Sequence, residues 1–144
     1  MSNYQTILLG VDLTEVSREI ADKAQSIVAS NGAKLHLIHV IEPLSFAYGG
    51  DIPMDFSGIQ EEIQQQAKQQ LTKFGEEYGA SEDAQHIVLG RPEVEIHAMA
   101  EELNADLVIV GSHGRYGLAL LMGSTASGVL HGASCDVLAV RVAS

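Results

Sequence analysis

Two clusters of glycine and small polar residues in the last third of the chain have the composition of a phosphate site. The first, Val110–Arg115, ends an apolar run, and the second, Gly123–Thr125, opens a stretch with helical character. Glycine lets backbone amides approach an anion closely, because it has no Cβ and accepts positive φ. A helix start adds free N–H donors and the positive end of its dipole. Together the clusters predict a phosphate site, although glycines at strand ends also serve simply to turn the chain.

Other residues near predicted strand ends have chemistry suited to the same ligand. Asp12 directly follows an apolar run, so its carboxylate either accepts hydrogen bonds from a ribose hydroxyl or base, or caps the first helix together with Thr14. Gly10 permits a close approach to the strand or marks a bulge. Arg91 and Arg115 either reach phosphate oxygens or offset nearby acids.

The standard catalytic and nucleotide-binding motifs do not occur in the sequence. There is no Gly-Lys dipeptide for a Walker A loop, and Asp12–Glu15 stands where a glycine-rich dinucleotide turn would follow the first strand. His36 and His39 are an odd number of residues apart on a predicted strand, so they face opposite sides rather than chelate one metal. His113, inside the first glycine cluster, is a ligand donor, a general acid or a solvated side chain. No nucleophile elbow and no Cys–His pair is present, and the sequence therefore predicts binding rather than catalysis.

The elements that must position these residues alternate between strands and helices. Apolar, β-branched runs predict strands at 7–11, 35–40, 86–89, 107–110 and 137–140. Apolar residues at helical spacing predict helices at 16–28 before Gly32, 59–78 before Gly79, 92–104 with Pro92 in the first turn, and 124–133. This alternation predicts an α/β fold, an open twisted five-stranded parallel sheet with helices on both faces, Rossmann-like in architecture.

Ligands of such sheets bind beyond the carboxyl ends of the strands, near the point where strand order reverses. The residues expected at that edge are Gly10–Asp12, Val40–Glu42, Gly90–Arg91 and Gly111–Arg115. The segment 42–58 is longer than the roughly 2–6 residues of a usual connection. Its apolar side chains predict that the segment packs on its own domain. The alternatives are that it covers a pocket or contacts a partner.

Length, charge and cysteine content limit the classes of protein that remain. The 144 residues fit one domain, 1–144. A net charge of −11 argues against nucleic-acid binding. Residues 104–144 hold two acids and two bases, so the whole excess of negative charge lies in residues 1–103. The glycine clusters therefore lie in the part of the chain that repels an anion least. Cys135 is the single cysteine, and no apolar run approaches the ~20 residues of a membrane helix. The sequence therefore predicts a cytoplasmic protein with no membrane association.

Taken together, these motifs resemble the universal stress protein family. The resemblance rests on Val110–Arg115, Gly123–Ala126 and Cys135–Val140, and it extends over the whole chain through Val11–Asp12, His39–Val40 and the turn Gly90–Pro92. It implies the family's fold, of the adenine nucleotide alpha hydrolase type, and a homodimer. The family's nucleotide-binding members hold ATP or AMP through a Gly-x2-Gly-x9-Gly-(Ser/Thr) pattern, with Mg as a potential companion.

Carried onto this chain, the resemblance assigns a role to each matching position. Gly10, Val11 and Asp12 would meet adenine or ribose, and Val40 would meet adenine through its backbone. Val110, Gly111 and Gly114 would line ribose and phosphate, with His113 and Arg115 beside them, and Gly123, Ser124 and Thr125 would cradle phosphate oxygens.

One departure keeps a second function open. Eight residues separate Gly114 from Gly123, where the family pattern has nine. The shorter spacing either shifts the phosphate-binding helix start or is absorbed in the loop. The alternative is therefore a dimeric interaction module without nucleotide, pairing through the apolar strand Val137–Val142 at a sheet edge. Slow ATP hydrolysis assisted by His113 or Asp12 is the least supported reading, because no carboxylate pair or metal set accompanies them.

Overall fold

The structure, a computed structural model, describes residues 4–13, 16–42, 57–111 and 134–140 and shows five strands there in one parallel sheet. The strands are β1 (Thr6–Gly10), β2 (Lys34–Ile41), β3 (Gln85–Leu89), β4 (Leu107–Gly111) and β5 (Asp136–Val140), in the order β3-β2-β1-β4-β5. The helices are α1 (Val16–Asn31), α2 (Ser57–Tyr78) and α3 (Pro92–Leu103), with a 3-10 turn at Glu82–Ala84. The predicted α/β class and the five-stranded parallel sheet are confirmed. The predicted helix 124–133 lies outside the described residues.

Local chemistry sets the ends of the helices close to where the sequence predicts them. Helix α1 stops before Gly32 and α2 before Gly79, and both glycines have the positive φ of a helix C-terminal turn, +63° and +78°. Helix α3 begins at Pro92, whose fixed φ suits a first turn. It ends one residue earlier than predicted, because Asn104 adopts the left-handed conformation. No helix in the described ranges is both long and apolar enough to cross a bilayer.

Each face of the sheet carries its own apolar core. Ile7 and Leu9 of β1 pack on the side of α1 and α2 with Leu71, while Leu8 packs on the side of α3 with Ile96. All three β1 side chains are fully buried. Burial on both faces explains why β1 is a continuous apolar run rather than an alternating one.

The order of the strands creates a crevice at one edge of the sheet. The chain runs from β1 outward to β2 and β3, then returns to the other side of β1 for β4 and β5. The strands that follow β1 and β4 in sheet order, β2 and β5, therefore lie on opposite sides of this central pair. Such a switch point is where open α/β sheets bind ligands.

Candidate functional site

A cavity of about 120 Å³ lies at this switch point. It is far larger than the ~10–15 Å³ that a single water molecule needs, so it has room for a ligand of many atoms. Six of its lining residues are positions predicted from the sequence: Gly10, Val11, Asp12, Val40, Val110 and Gly111. Six others were not predicted as ligand contacts: Ser17, Ile20, Ile38, His39, Pro92 and Ile96.

The floor of the cavity is the bend Gly10–Asp12, where the chain leaves β1. Gly10 is the last residue of β1, one residue earlier than the predicted strand end at Val11. The Val11 amide still donates to the Ile38 carbonyl at 2.9 Å. The Val11 carbonyl accepts from Nδ1 of His39 at 2.8 Å, and a carbonyl can only accept, so the imidazole is the donor. Both polar groups of Val11 are therefore bonded to β2.

Asp12 is held by a side chain of α1. Its amide donates to Ser17 Oγ at 3.1 Å, and Ser17 Oγ donates to Asp12 Oδ1 at 2.6 Å. Ser17 is only 1% exposed whereas Asp12 is partly exposed, so the pair is shielded from water on the side of Ser17. The sequence predicted a cap formed by Asp12 with Thr14, and Thr14 lies outside the described residues. The hydrogen bonds with Ser17 tie Asp12 to the first turn of α1 and place its carboxylate at the cavity.

The walls of the cavity are apolar. Ile20 of α1, Pro92 and Ile96 of α3 and Val110 of β4 line it. Apolar walls with a few placed polar groups are typical of small-molecule sites. The arrangement can hold a flat apolar group between α3 and the sheet, with the Asp12 carboxylate available to hydroxyl donors.

The remaining predicted positions do not all fall in this cavity. Arg91 precedes Pro92 as the N-cap residue of α3, is exposed, and is absent from the cavity lining. Residues His113, Gly114, Arg115, Gly123, Ser124 and Thr125 lie outside the described residues, so their roles stay predictions. The same holds for 43–56 of the long connection.

Two of the unpredicted residues carry signals that the sequence did contain. Ser17 follows Asp12 by five residues at the start of a helix, within reach of a residue ending the preceding strand. His39 adjoins Val40 at the end of β2, the same sheet edge as Asp12. Ser17 falls within the predicted helix 16–28 without a role of its own, and His39 enters the prediction as a rejected metal ligand and in the strand ending His39–Val40.

A pair of histidines, His36 and His86, lies away from the cavity. His36 Nδ1 and His86 Nε2 are 3.1 Å apart across β2 and β3, and the ring planes are inclined by only 20°. A single N–H between the two nitrogens bonds the rings, so one of them must be unprotonated there. In the part of the chain that is described, no group of three or more potential metal ligands is assembled.

This pair predicts a loss of stability in mild acid. Burial is the main cause that lowers the pKa of both His36 and His86. The charges of His86 and Lys34 lower the pKa of His36 further, and the Asp83 carboxylate partly opposes this lowering. At His86, the carboxylates of Glu102 and Asp83 partly oppose the lowering of the pKa. A lowered pKa means that the folded state binds fewer protons than the unfolded state, so stability falls as pH drops below about 6.5. We expect the free energy of unfolding, from urea titrations between about pH 7.5 and 5, to decrease across this range.

The variant His86→Gln isolates the contribution of the pair. Glutamine keeps a hydrogen-bonding partner for His36 but does not titrate, so the pH dependence should become shallower. An unchanged slope in this variant would contradict the assignment of the acid sensitivity to these two rings.

Comparison with known proteins agrees with the fold. The model of the universal stress protein family matches residues 3–141. Universal stress protein A homolog 1 of Coxiella burnetii is 40% identical over 140 residues, which cover 96% of each chain. Homolog 2 of the same organism is 40% identical over 146 residues, covering 99% of this chain and 98% of its own.

Two solved structures have folds similar to that of this chain. A universal stress protein in complex with cAMP has a TM-score of 0.62 and 29% identity, over 96% of this chain and 98% of its own. The hypothetical protein MJ0577 has a TM-score of 0.79 and 25% identity, over 97% of both chains.

Proposed function

This chain belongs to the universal stress protein family, and from that premise we propose that its switch-point cavity binds an adenine nucleotide, ATP or AMP. The observation that carries the proposal is the convergence of three separate segments on one cavity. Gly10–Asp12, Val40 and Val110–Gly111 lie in or directly after three different strands, and each was expected at the ligand from the sequence. The complex of a related universal stress protein with cAMP supports an adenine-containing ligand.

The chemistry of the cavity fits the base and the sugar of such a ligand. The flat base suits the apolar part of the cavity that Ile96 and Val110 line, where Gly10 adds no side chain. The Asp12 carboxylate accepts hydrogen bonds from ribose hydroxyls. The phosphates are assigned to the second half of the motif, Gly114 and Gly123–Thr125, with Mg as an optional companion of ATP.

Direct binding measurements test the proposal. Isothermal titration with ATP, AMP and GTP should give saturable binding of ATP or AMP at a stoichiometry of one per chain, and weaker binding of GTP. Mass spectrometry of small molecules released from protein purified without added nucleotide should find the same compound. No uptake of ATP or AMP at millimolar concentration would overturn the proposal.

We also propose that the chain forms a homodimer through the last strand. β5 is at the end of the sheet order, with β4 as its neighbour on one side. A sheet edge of this kind offers unpaired backbone groups to a second copy. Light scattering should give the mass of a dimer at tens of micromolar protein, and a monomer there would contradict the proposal. A dimer that takes up no nucleotide would instead support the alternative, an interaction module without ligand. A cytoplasmic location stays a prediction.

A further inference from the structure

The backbone that carries Asp12 to the cavity lies beyond the regular sheet. The β1–β2 ladder ends at the pair Gly10 and Ile38. Past this point the Val11 amide makes one more bond to the Ile38 carbonyl. The Val11 carbonyl, on a residue that is 6% exposed, is bonded by the His39 side chain. His39 is itself fixed, because its backbone pairs with Ile87 of β3.

We infer that His39 is a positioning residue for the ligand site, holding the bend Gly10–Asp12 in place through the hydrogen bond from Nδ1 to the Val11 carbonyl. Without this donor, a buried carbonyl would lose its partner, which is unfavourable enough for the bend to move. Any such movement displaces Val11 and Asp12, which both line the cavity. The effect on ligand affinity rests on the proposed function, whereas the effect on the bend does not.

The inference fixes the protonation of the ring. Because the Val11 carbonyl can only accept, Nδ1 carries the hydrogen, and in the neutral ring Nε2 is then unprotonated. Nitrogen-15 NMR of the imidazole distinguishes the two tautomers. We expect the Nδ1–H form for His39 in the protein without ligand. A ring protonated at Nε2 alone would overturn the inference, whether or not the protein binds nucleotide.

Two substitutions separate the donor from the rest of the side chain. In His39→Asn the amide nitrogen is the same number of bonds from the backbone as Nδ1, so the bond to Val11 can form again. In His39→Leu no donor remains. We expect His39→Leu to lose at least about tenfold in affinity for ATP or AMP, a loss typical of removing a group that orients a binding residue. We expect the affinity of His39→Asn to stay within about threefold of that of the unsubstituted protein.

A matched control excludes general destabilisation. His36→Asn removes a ring of the same strand that hydrogen-bonds to His86 rather than to the bend. This variant should keep the nucleotide affinity. In amide NMR spectra recorded without ligand, the signals of Val11 and Asp12 should shift more in His39→Leu than in His39→Asn.

The possible results each decide one proposal. Equal losses of affinity in His39→Leu and His39→Asn, or unchanged affinity in His39→Leu, would overturn the positioning role. If the unsubstituted protein binds neither ATP nor AMP, the proposed function fails. The positioning role is then decided by the tautomer and by the Val11 and Asp12 signals, and undisturbed signals in His39→Leu would overturn it.

Discussion

Replacing Gly10 with valine is expected to lower the affinity for ATP or AMP at least about tenfold, a loss of roughly 1.4 kcal/mol in binding free energy. A Cβ at Gly10 would lie 3.4 Å from Cγ1 of Val110 and 3.6 Å from Cδ1 of Ile96. Both of these residues line the cavity. The two further methyl groups of valine would therefore take up space proposed for the base. Isothermal titration of the variant with each nucleotide measures the effect.

The alanine variant is the control for this prediction. A single methyl group at Gly10 makes ordinary van der Waals contacts, so the fold should accept it. We expect the Tm of Gly10→Ala to lie within about 3 °C of that of the unsubstituted protein, which corresponds to less than about 1 kcal/mol. Its nucleotide affinity should fall between those of the unsubstituted protein and Gly10→Val. If Gly10→Val binds as tightly as the unsubstituted protein, the ligand does not use this cavity.

The order of strands and helices could be predicted because its signals are local. Continuous apolar runs mark strands buried on both faces, and β1 shows that burial at Ile7, Leu8 and Leu9. Gly32 and Gly79 mark helix ends because only a residue tolerant of positive φ fits there. The strand boundaries differ from the prediction by one residue, as at Gly10, where the strand ends although Val11 continues the apolar run. The helix boundaries differ by more, since α2 begins two residues before the predicted 59 and α1 continues past the predicted 28 to Asn31.

The general position of the cavity could also be predicted, since parallel strands bring their carboxyl ends to one edge. That rule placed Asp12, Val40 and Gly111 together without any knowledge of contacts. It could not identify Ser17 or His39 as parts of the site. Their hydrogen bonds depend on how α1 and β2 are set against the end of β1, and the sequence does not specify this geometry. The phosphate side, Gly114 to Thr125, lies outside the described residues and stays a prediction.

Substituting Ser17 with alanine should both destabilise the protein and weaken nucleotide binding. The Ser17 hydroxyl accepts from the Asp12 amide and donates to the Asp12 carboxylate. Its removal takes one hydrogen bond from each of these groups at a place where Ser17 itself is 1% exposed, so water has little access to the position of the lost hydroxyl. Loss of a buried hydrogen-bond partner costs about 1–3 kcal/mol. Urea unfolding should show a decrease of this size, and isothermal titration a lower affinity for ATP or AMP, because Asp12 is no longer held at the cavity.

Ser30→Ala provides the matched control on the same helix. The Ser30 hydroxyl is exposed and donates to the Ile27 carbonyl at 3.2 Å, so water can take its place. Its removal should change stability by no more than about 0.5 kcal/mol and leave nucleotide affinity unaltered. If Ser17→Ala is as mild as Ser30→Ala in both measurements, the reciprocal pair with Asp12 does not organise the site. If Ser17→Ala lowers stability but not affinity, Asp12 is held at the cavity by other groups and the pair serves the fold alone.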